Sequence, residues 1–223
     1  MRIRKKKWAE PELNDCSFYV AEPEKLRGKW SGFFPKKRPI MLEVGCGKGS
    51  FVGQMALLYP EINFIAVDIK LDMLGVGRRN IVKLFENSGR EVDNIALTRY
   101  NVEEINRIIA PEDDIQRIYI NFCNPWPRAK HKKRRLTYPR KLRLYRELLK
   151  EGMEIHFKTD DDELFEESLG YFRSENFEIV KLERDLHNSD VDVNTTPVTE
   201  HEKMFSDEGI KIKYCIARMA RKG

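Results

Sequence analysis

From residue 39 onward, short apolar runs alternate with segments whose apolar residues recur every three or four positions. IMLEVG (40–45), INFIAVD (62–68), NIALTRYN (94–101), IQRIYINF (115–122) and MEIHFKTD (153–160) are short, bounded and apolar, as buried strands are. Between them the period lengthens to that of helices. Residues 49–60 stop at Pro60, 71–89 end on a capping Gly89, and 102–110 form a short helix. Residues 138–152 carry Pro139 in a first turn and Gly152 at their close, and 162–175 make a further helix. Two late strands are expected at 177–186 and 210–219. Strands that alternate with helices predict an α/β fold: a doubly wound, mostly parallel seven-stranded sheet with helices on both faces.

Residues 1–38 fit this alternation poorly, being basic, then acidic and proline-bearing, then KLRGKWSGFFPKKRP. The expected organisation is a basic N-terminal extension over 1–38, packed partly on the fold with a frayed beginning, and one domain over 39–223. A length of 223 residues suits one domain with a full core. Residues 187–208 form a long polar insertion between the last two strands, and loops of that length in compact domains tend to serve function. No apolar run is long enough to span a bilayer, and MRIRKKK leads into WAEPELN, unlike a signal peptide, so a soluble cytoplasmic protein is expected. Cys16, Cys46, Cys123 and Cys215 are scattered without paired spacing, so neither a disulfide framework nor a metal site is expected.

Charge sharpens this outline. The chain carries a net +5, yet residues 128–143 hold nine Lys or Arg and no acid, and residues 1–7 hold five more. A concentrated cationic surface on an acidic body fits a polyanion, of which nucleic acid is the commonest.

LEVGCGKG places Glu43, Gly45, Gly47 and Gly49 at the junction of the first strand and first helix, where open α/β sheets bind ligands. Glycine lets the backbone approach a ligand that a Cβ would hold off. The spacing G-x-G-x-G differs from the G-x-G-x-x-G of dinucleotide folds, and an acid two residues ahead suits a cationic ligand better than a phosphate. Asp68 closes the second strand where a carboxylate accepts hydrogen bonds from ribose hydroxyls. Together these features resemble class I S-adenosylmethionine-dependent methyltransferases. At the same sheet edge the fourth strand runs into NPWP (124–127), a stiff turn with an aromatic face for a flat base. It resembles the Asp/Asn-Pro-Pro-aromatic element of amino-methyltransferases. The basic run that follows suits the phosphates around a target nucleotide.

NFCNPWPRAKHKKRRL, HFKTDDDELFEESL and VTEHEKMF resemble, in order, the signatures of the tRNA (guanine-N7)-methyltransferases, and with the glycine loop they cover the chain from about residue 40 to its end. The resemblance implies S-adenosylmethionine as methyl donor and a guanine in the variable loop of tRNA as acceptor. By position, Glu43, Gly45, Gly47, Asp68 and Asn101 fall to the cofactor, and Asn124 lies between cofactor and guanine as the catalytic position. Arg128, Asp160, Thr199, Glu200, His201 and Glu202 fall to substrate binding, and Lys130, His131, Lys132, Lys133, Arg134 and Arg135 to RNA contact. Two residues depart from the family pattern, Asn124 where Asp is usual and His201 where an aromatic is usual. Guanine N7 has a lone pair and no proton, so its attack needs no general base, and Asn124 is expected to position rather than to remove a proton. Asp160 and Glu202 can also be read as a helix cap and a salt-bridged carboxylate. Rival functions are an exocyclic-amine RNA methyltransferase, a non-catalytic RNA-binding protein on the same fold and, with the wrong glycine spacing, a nicotinamide-dependent oxidoreductase. Monomer and homodimer both remain open.

Overall fold

The computed structural model describes residues 6–189, 202, 204–205 and 208–220. The five apolar runs become strands β2 (Ile40–Val44), β3 (Asn63–Asp68), β4 (Ile95–Arg99), β5 (Ile115–Asn121) and β6 (Leu149–Thr159), joined by β7 (Phe177–Glu183) and β8 (Lys213–Met219). A two-residue strand, β1 (Tyr19–Val20), completes one eight-stranded sheet in the order β1-β4-β3-β2-β5-β6-β8-β7. Every pairing is parallel except those of β8, which runs antiparallel to β6 and β7.

The near-continuous apolar sequence of β2 follows from burial on both faces. Ile40, Leu42 and Val44 join one core cluster, with Leu142 and Tyr145 of α4 (Pro139–Leu148) and Phe165 and Phe172 of α5 (Asp162–Ser174). Met41 joins the opposite cluster, with Phe51 and Met55 of α2 (Ser50–Leu58) and Ile81 and Phe85 of α3 (Leu71–Ser88). Successive side chains of a strand point to opposite faces, so one short strand feeds both layers. The chain passes from β2 to β3 on one side and returns to β5 on the other. Where strand order reverses in this way, a crevice opens beyond the carboxyl ends of the strands.

The eighth strand comes from the segment that the alternation left unassigned. Tyr19 pairs with Leu97 and Val20 with Thr98; two residues are too few to show a period. Around it, α1 (Ala9–Asn14) packs on α3, and Gly75 makes room for it, since a Cβ there would come within 2.5 Å of the Ala9 Cβ. Trp30 is fully buried and donates its Nε1–H to the Ile108 carbonyl at 2.7 Å. The Asp113 carboxylate accepts from the backbone N–H groups of Gly28 and Trp30 at 2.9 and 3.0 Å.

Two elements differ most from expectation, while the last two strands are each about three residues shorter than expected. The helix expected to run to Gly152 stops at Leu148, and Leu149 enters β6 directly. Gly152, at φ +80°, instead lies in a bulge, since Ile115 faces Leu149 while Arg117 faces Glu154. Glycine's left-handed conformation serves a bulge as well as a cap. The expected helix over 102–110 is a 3₁₀ segment, Val102–Arg107. No helix among the described residues is long and apolar enough to cross a membrane.

Candidate functional site

Beyond the carboxyl ends of β2 to β6 lies a cleft of about 1110 Å³. Glu43, Gly45, Gly47, Asp68, Asn101 and Asn124, drawn from four separate stretches of sequence, all line it. The turn after β2 is pinned to its neighbour, Gly45 N–H and Cys46 N–H both donating to the Val67 carbonyl at 2.8 and 3.1 Å. Gly45, Gly47 and Gly49 have φ of +77°, +53° and +67°, a conformation that side-chain-bearing residues rarely adopt. At Gly49 an added Cβ would press on Ile81 at 3.1 Å and on the Gly77 Cα at 3.3 Å. At Gly47 it would meet, among the described residues and its chain neighbours aside, no atom within 4 Å, so what it would fill is the cleft.

Glu43 is 3% exposed. Its Oε1 accepts from Asn121 Nδ2 at 3.3 Å, while Oε2 is buried with no hydrogen-bond partner among the described residues. Burial pushes its pKa up to about 8, with the Asp68 charge adding to the rise and the Asn121 hydrogen bond opposing it. At neutral pH the group is mostly a neutral acid. Asp68 is tied down by backbone donors, Oδ2 accepting from Gly47 N–H at 2.9 Å and Oδ1 from Lys70 N–H at 2.8 Å. Each oxygen keeps a second acceptor site for a ligand hydroxyl. Asn101 caps the 3₁₀ segment, its Oδ1 accepting from Glu103 N–H at 3.1 Å. Ile69, directly after Asp68, is 56% exposed and adds an apolar wall to the cleft. An apolar residue next to the acid that closes a strand was the sequence signal for it. Glycines that leave room, hydroxyl acceptors on Asp68, an unpartnered carboxyl oxygen on Glu43 and the apolar Ile69 together fit S-adenosylmethionine, which combines a cationic amino acid, a ribose and a flat base.

The far wall is the turn after β5. Phe122 N–H donates to the Lys158 carbonyl at 3.0 Å, and Asn124 Oδ1 accepts from Trp126 N–H at 3.0 Å. Phe122 and Trp126 both have positive φ, +48° and +43°, which costs non-glycine residues free energy and persists only where neighbours enforce it. Trp126, expected as an open stacking face, is half-buried, with the Arg134 guanidinium 5.0 Å from its ring centre and His131 edge-on at 5.8 Å.

The basic run divides into two groups. Arg128, Lys130, Lys133 and Arg134 are exposed, and Lys133 and Arg134 reach the cleft lining. Lys132 pairs with Glu163 at 2.6 Å and with Glu167. Arg135, expected on RNA, is fully buried: its Nε donates to the Pro125 carbonyl at 2.7 Å and its Nη1 to Glu167 at 2.6 Å. The cause is α5, whose Glu163 and Glu167 share one helix face and draw these two cations inward. Lys141 is buried too, on Glu103 at 2.8 Å and the Lys133 carbonyl.

Asp160 lines the cleft, and the cap considered for it belongs to Asp161, whose Oδ1 accepts from Leu164 N–H at 2.6 Å. Glu202, expected either to bind substrate or to be a salt-bridged carboxylate, is fully buried against Lys158, with Nζ 3.2 Å from Oε2, and has His187 at 3.5 Å. Lys158, which the sequence did not single out, requires such a partner because burial depresses its pKa. Phe205 lines the cleft and meets Phe122 with ring centres 6.1 Å apart. Thr199, Glu200 and His201 lie outside the described residues.

A family model described as "Putative methyltransferase" matches residues 37–215. The tRNA (guanine-N(7)-)-methyltransferase of Clostridium beijerinckii is 55% identical over 217 residues, spanning 97% of this chain and 98% of its own. That of Clostridium perfringens (strain SM101) is 53% identical over 219 residues, spanning 98% and 99%. Among solved structures, the 16S rRNA methyltransferase KamB superposes with a TM-score of 0.58 over 98% of this chain and 95% of its own, at 10% identity. An antibiotic-related methyltransferase gives 0.57 over 97% and 95%, at 14%. At such identities these structures share the fold.

Proposed function

The chain belongs to the tRNA (guanine-N7)-methyltransferase family, and we propose that it transfers a methyl group from S-adenosylmethionine to N7 of a guanine in the variable loop of tRNA. The observation that carries this reading is the single cleft lined by Glu43, Gly45, Gly47, Asp68, Asn101 and Asn124, with exposed Lys133 and Arg134 also lining it. The cofactor supplies a methyl group activated by its bond to a sulfonium sulfur.

In this assignment Asp68 accepts from ribose hydroxyls, and Gly47 lets the ligand lie against the backbone. Asn101 and Ile69 flank the base of the cofactor. Glu43 holds a proton on a buried carboxyl and yields it when a positive ligand charge makes the carboxylate favourable. Asn124 fixes the turn through Oδ1 and keeps its amide N–H groups to orient base or cofactor. No residue has to remove a proton from N7. Alignment of the lone pair with the methyl carbon therefore dominates, and fixed geometry of that kind is worth effective molarities on the order of 10⁵ M or more. Arg128 and Asp160 are assigned to the tRNA substrate, and Lys130, Lys133 and Arg134 to its phosphates. Residues 39–223 are assigned as the catalytic domain and 1–38 as its basic extension; a tRNA substrate puts the work in the cytoplasm.

The test is incubation with methyl-labelled S-adenosylmethionine and unmodified tRNA, then digestion to nucleosides and chromatography. Label in 7-methylguanosine is expected. Label in another nucleoside moves the target atom, and no label from protein that binds both cofactor and tRNA defeats the reading.

A further inference from the structure

We propose that Arg135 is a positioning residue for methyl transfer, acting through the turn of residues 124–126 rather than on RNA phosphates. The inference rests on the methyltransferase reading above. The side chain is 0% exposed, so as folded it has no surface to offer a phosphate. Its guanidinium instead bridges two elements. Nε donates to the Pro125 carbonyl at 2.7 Å, inside the turn that carries Asn124. Nη1 donates to Glu167 Oε2 at 2.6 Å on α5, and Nη2 lies 3.5 Å from Glu163. Tyr171, one helical turn further along, donates its hydroxyl to the same Glu167 oxygen at 2.8 Å, which fixes the orientation of that carboxylate.

The turn needs such a brace. Trp126 is held at φ +43°, and its hydrogen bond to Asn124 Oδ1 closes a loop of only three residues. That internal hydrogen bond does not by itself set where the loop sits relative to the sheet. The Pro125 carbonyl, within the loop, is fastened by Arg135 to α5, whose apolar face is buried in the core under the sheet. Asn124 is thereby given a fixed address relative to the glycine loop across the cleft. An arginine is required because its planar fork reaches a carbonyl and a carboxylate together, whereas lysine presents one compact ammonium.

The experiment compares full-length Arg135→Lys and Glu167→Gln with the parent in steady-state methylation of tRNA. Rates are expressed per cofactor site, counted by calorimetric titration with S-adenosylmethionine, so unfolded material does not enter. The salt dependence of tRNA affinity is measured for Arg135→Gln and the parent, because lysine would keep the charge that counterion release reports. Expected is a fall in kcat of roughly 10²-fold for Arg135→Lys, the scale of a misplaced reacting group, with KM for tRNA within about twofold, and an unchanged salt slope for Arg135→Gln. Glu167→Gln should lose less, in kcat again, because its amide oxygen still accepts from Nη1. If Arg135→Lys fails to fold, Glu167→Gln alone carries the split between kcat and KM. Parental kcat in the folded variants overturns the proposal. So does a salt slope shallower by about 0.7 to 0.9 in Arg135→Gln, the signature of one lost phosphate contact. An inactive parent would instead defeat the methyltransferase reading.

Discussion

Replacing Glu43 by Gln should change how stability depends on pH. The parent side chain is 3% exposed and its pKa rises from 4.5 to about 8, through burial first and the Asp68 charge in addition. Between those two values the folded protein holds a proton that the unfolded chain has released. The contribution of Glu43 is therefore fully present below pH 4.5 and is lost as pH rises through 8. At about 1.4 kcal/mol per pH unit, flattening near the folded pKa, the loss between pH 6 and pH 8 comes to about 2 kcal/mol. Glutamine fills nearly the same volume, keeps an oxygen for Asn121 and does not titrate. Urea unfolding of both proteins without cofactor, at pH 6 and pH 8, isolates the effect, since the remaining groups are common to both. The stability difference should shift by about 2 kcal/mol in favour of Glu43→Gln at the higher pH. An equal difference at both pH values would show that Glu43 is ionised in the folded state and refute the argument.

Asn124→Asp preserves the oxygen that accepts from Trp126 N–H and adds a charge suited to a purine becoming positive, so its single-turnover rate should match or exceed the parent's. Asn124→Ala loses that oxygen and should be slower by roughly 10²-fold in the same assay; a parental rate would remove Asn124 from the site. Four exposed cations, Arg128, Lys130, Lys133 and Arg134, set the salt response: if all four meet phosphates, tRNA affinity should fall roughly 10²-fold between 50 and 200 mM salt, and a flat profile in filter binding would take the basic run out of the interface. Gly47→Ala and Gly49→Ala both place a Cβ at positive φ, a strain of about 1–2 kcal/mol. Only the second meets packed protein atoms, so calorimetry should show cofactor affinity lost in the first and thermal melting should show greater destabilisation in the second.

What sequence revealed and what it hid divide along a physical line. The glycine loop, Asp68 and Asn101 are legible because each sits where a strand ends, and strand ends in this topology gather at one edge. The apolar runs of β2 and β3 are legible because burial on both faces leaves no polar position to confuse them. Arg135 and Lys132 were hidden because an isolated charge run looks solvated until α5, some 30 residues later, is known to set Glu163 and Glu167 against it. Lys158 and Glu202 are 44 residues apart, and neither residue by itself signals a buried pair. The end of α4 was misplaced because Gly152 permits a cap and a bulge equally.

The anchoring of residues 28–30 has a consequence for synthesis. Trp30 and Gly28 leave the ribosome before the groups that hold them, at Ile108 and Asp113, which lie 78 to 85 residues downstream. At translation rates of about 5–20 residues per second, Trp30, the largest fully buried side chain, waits roughly 4–16 s without its pocket. Closure of that long loop cannot precede synthesis of Ile108 and Asp113, so the segment around Trp30 is made well before it can be fastened.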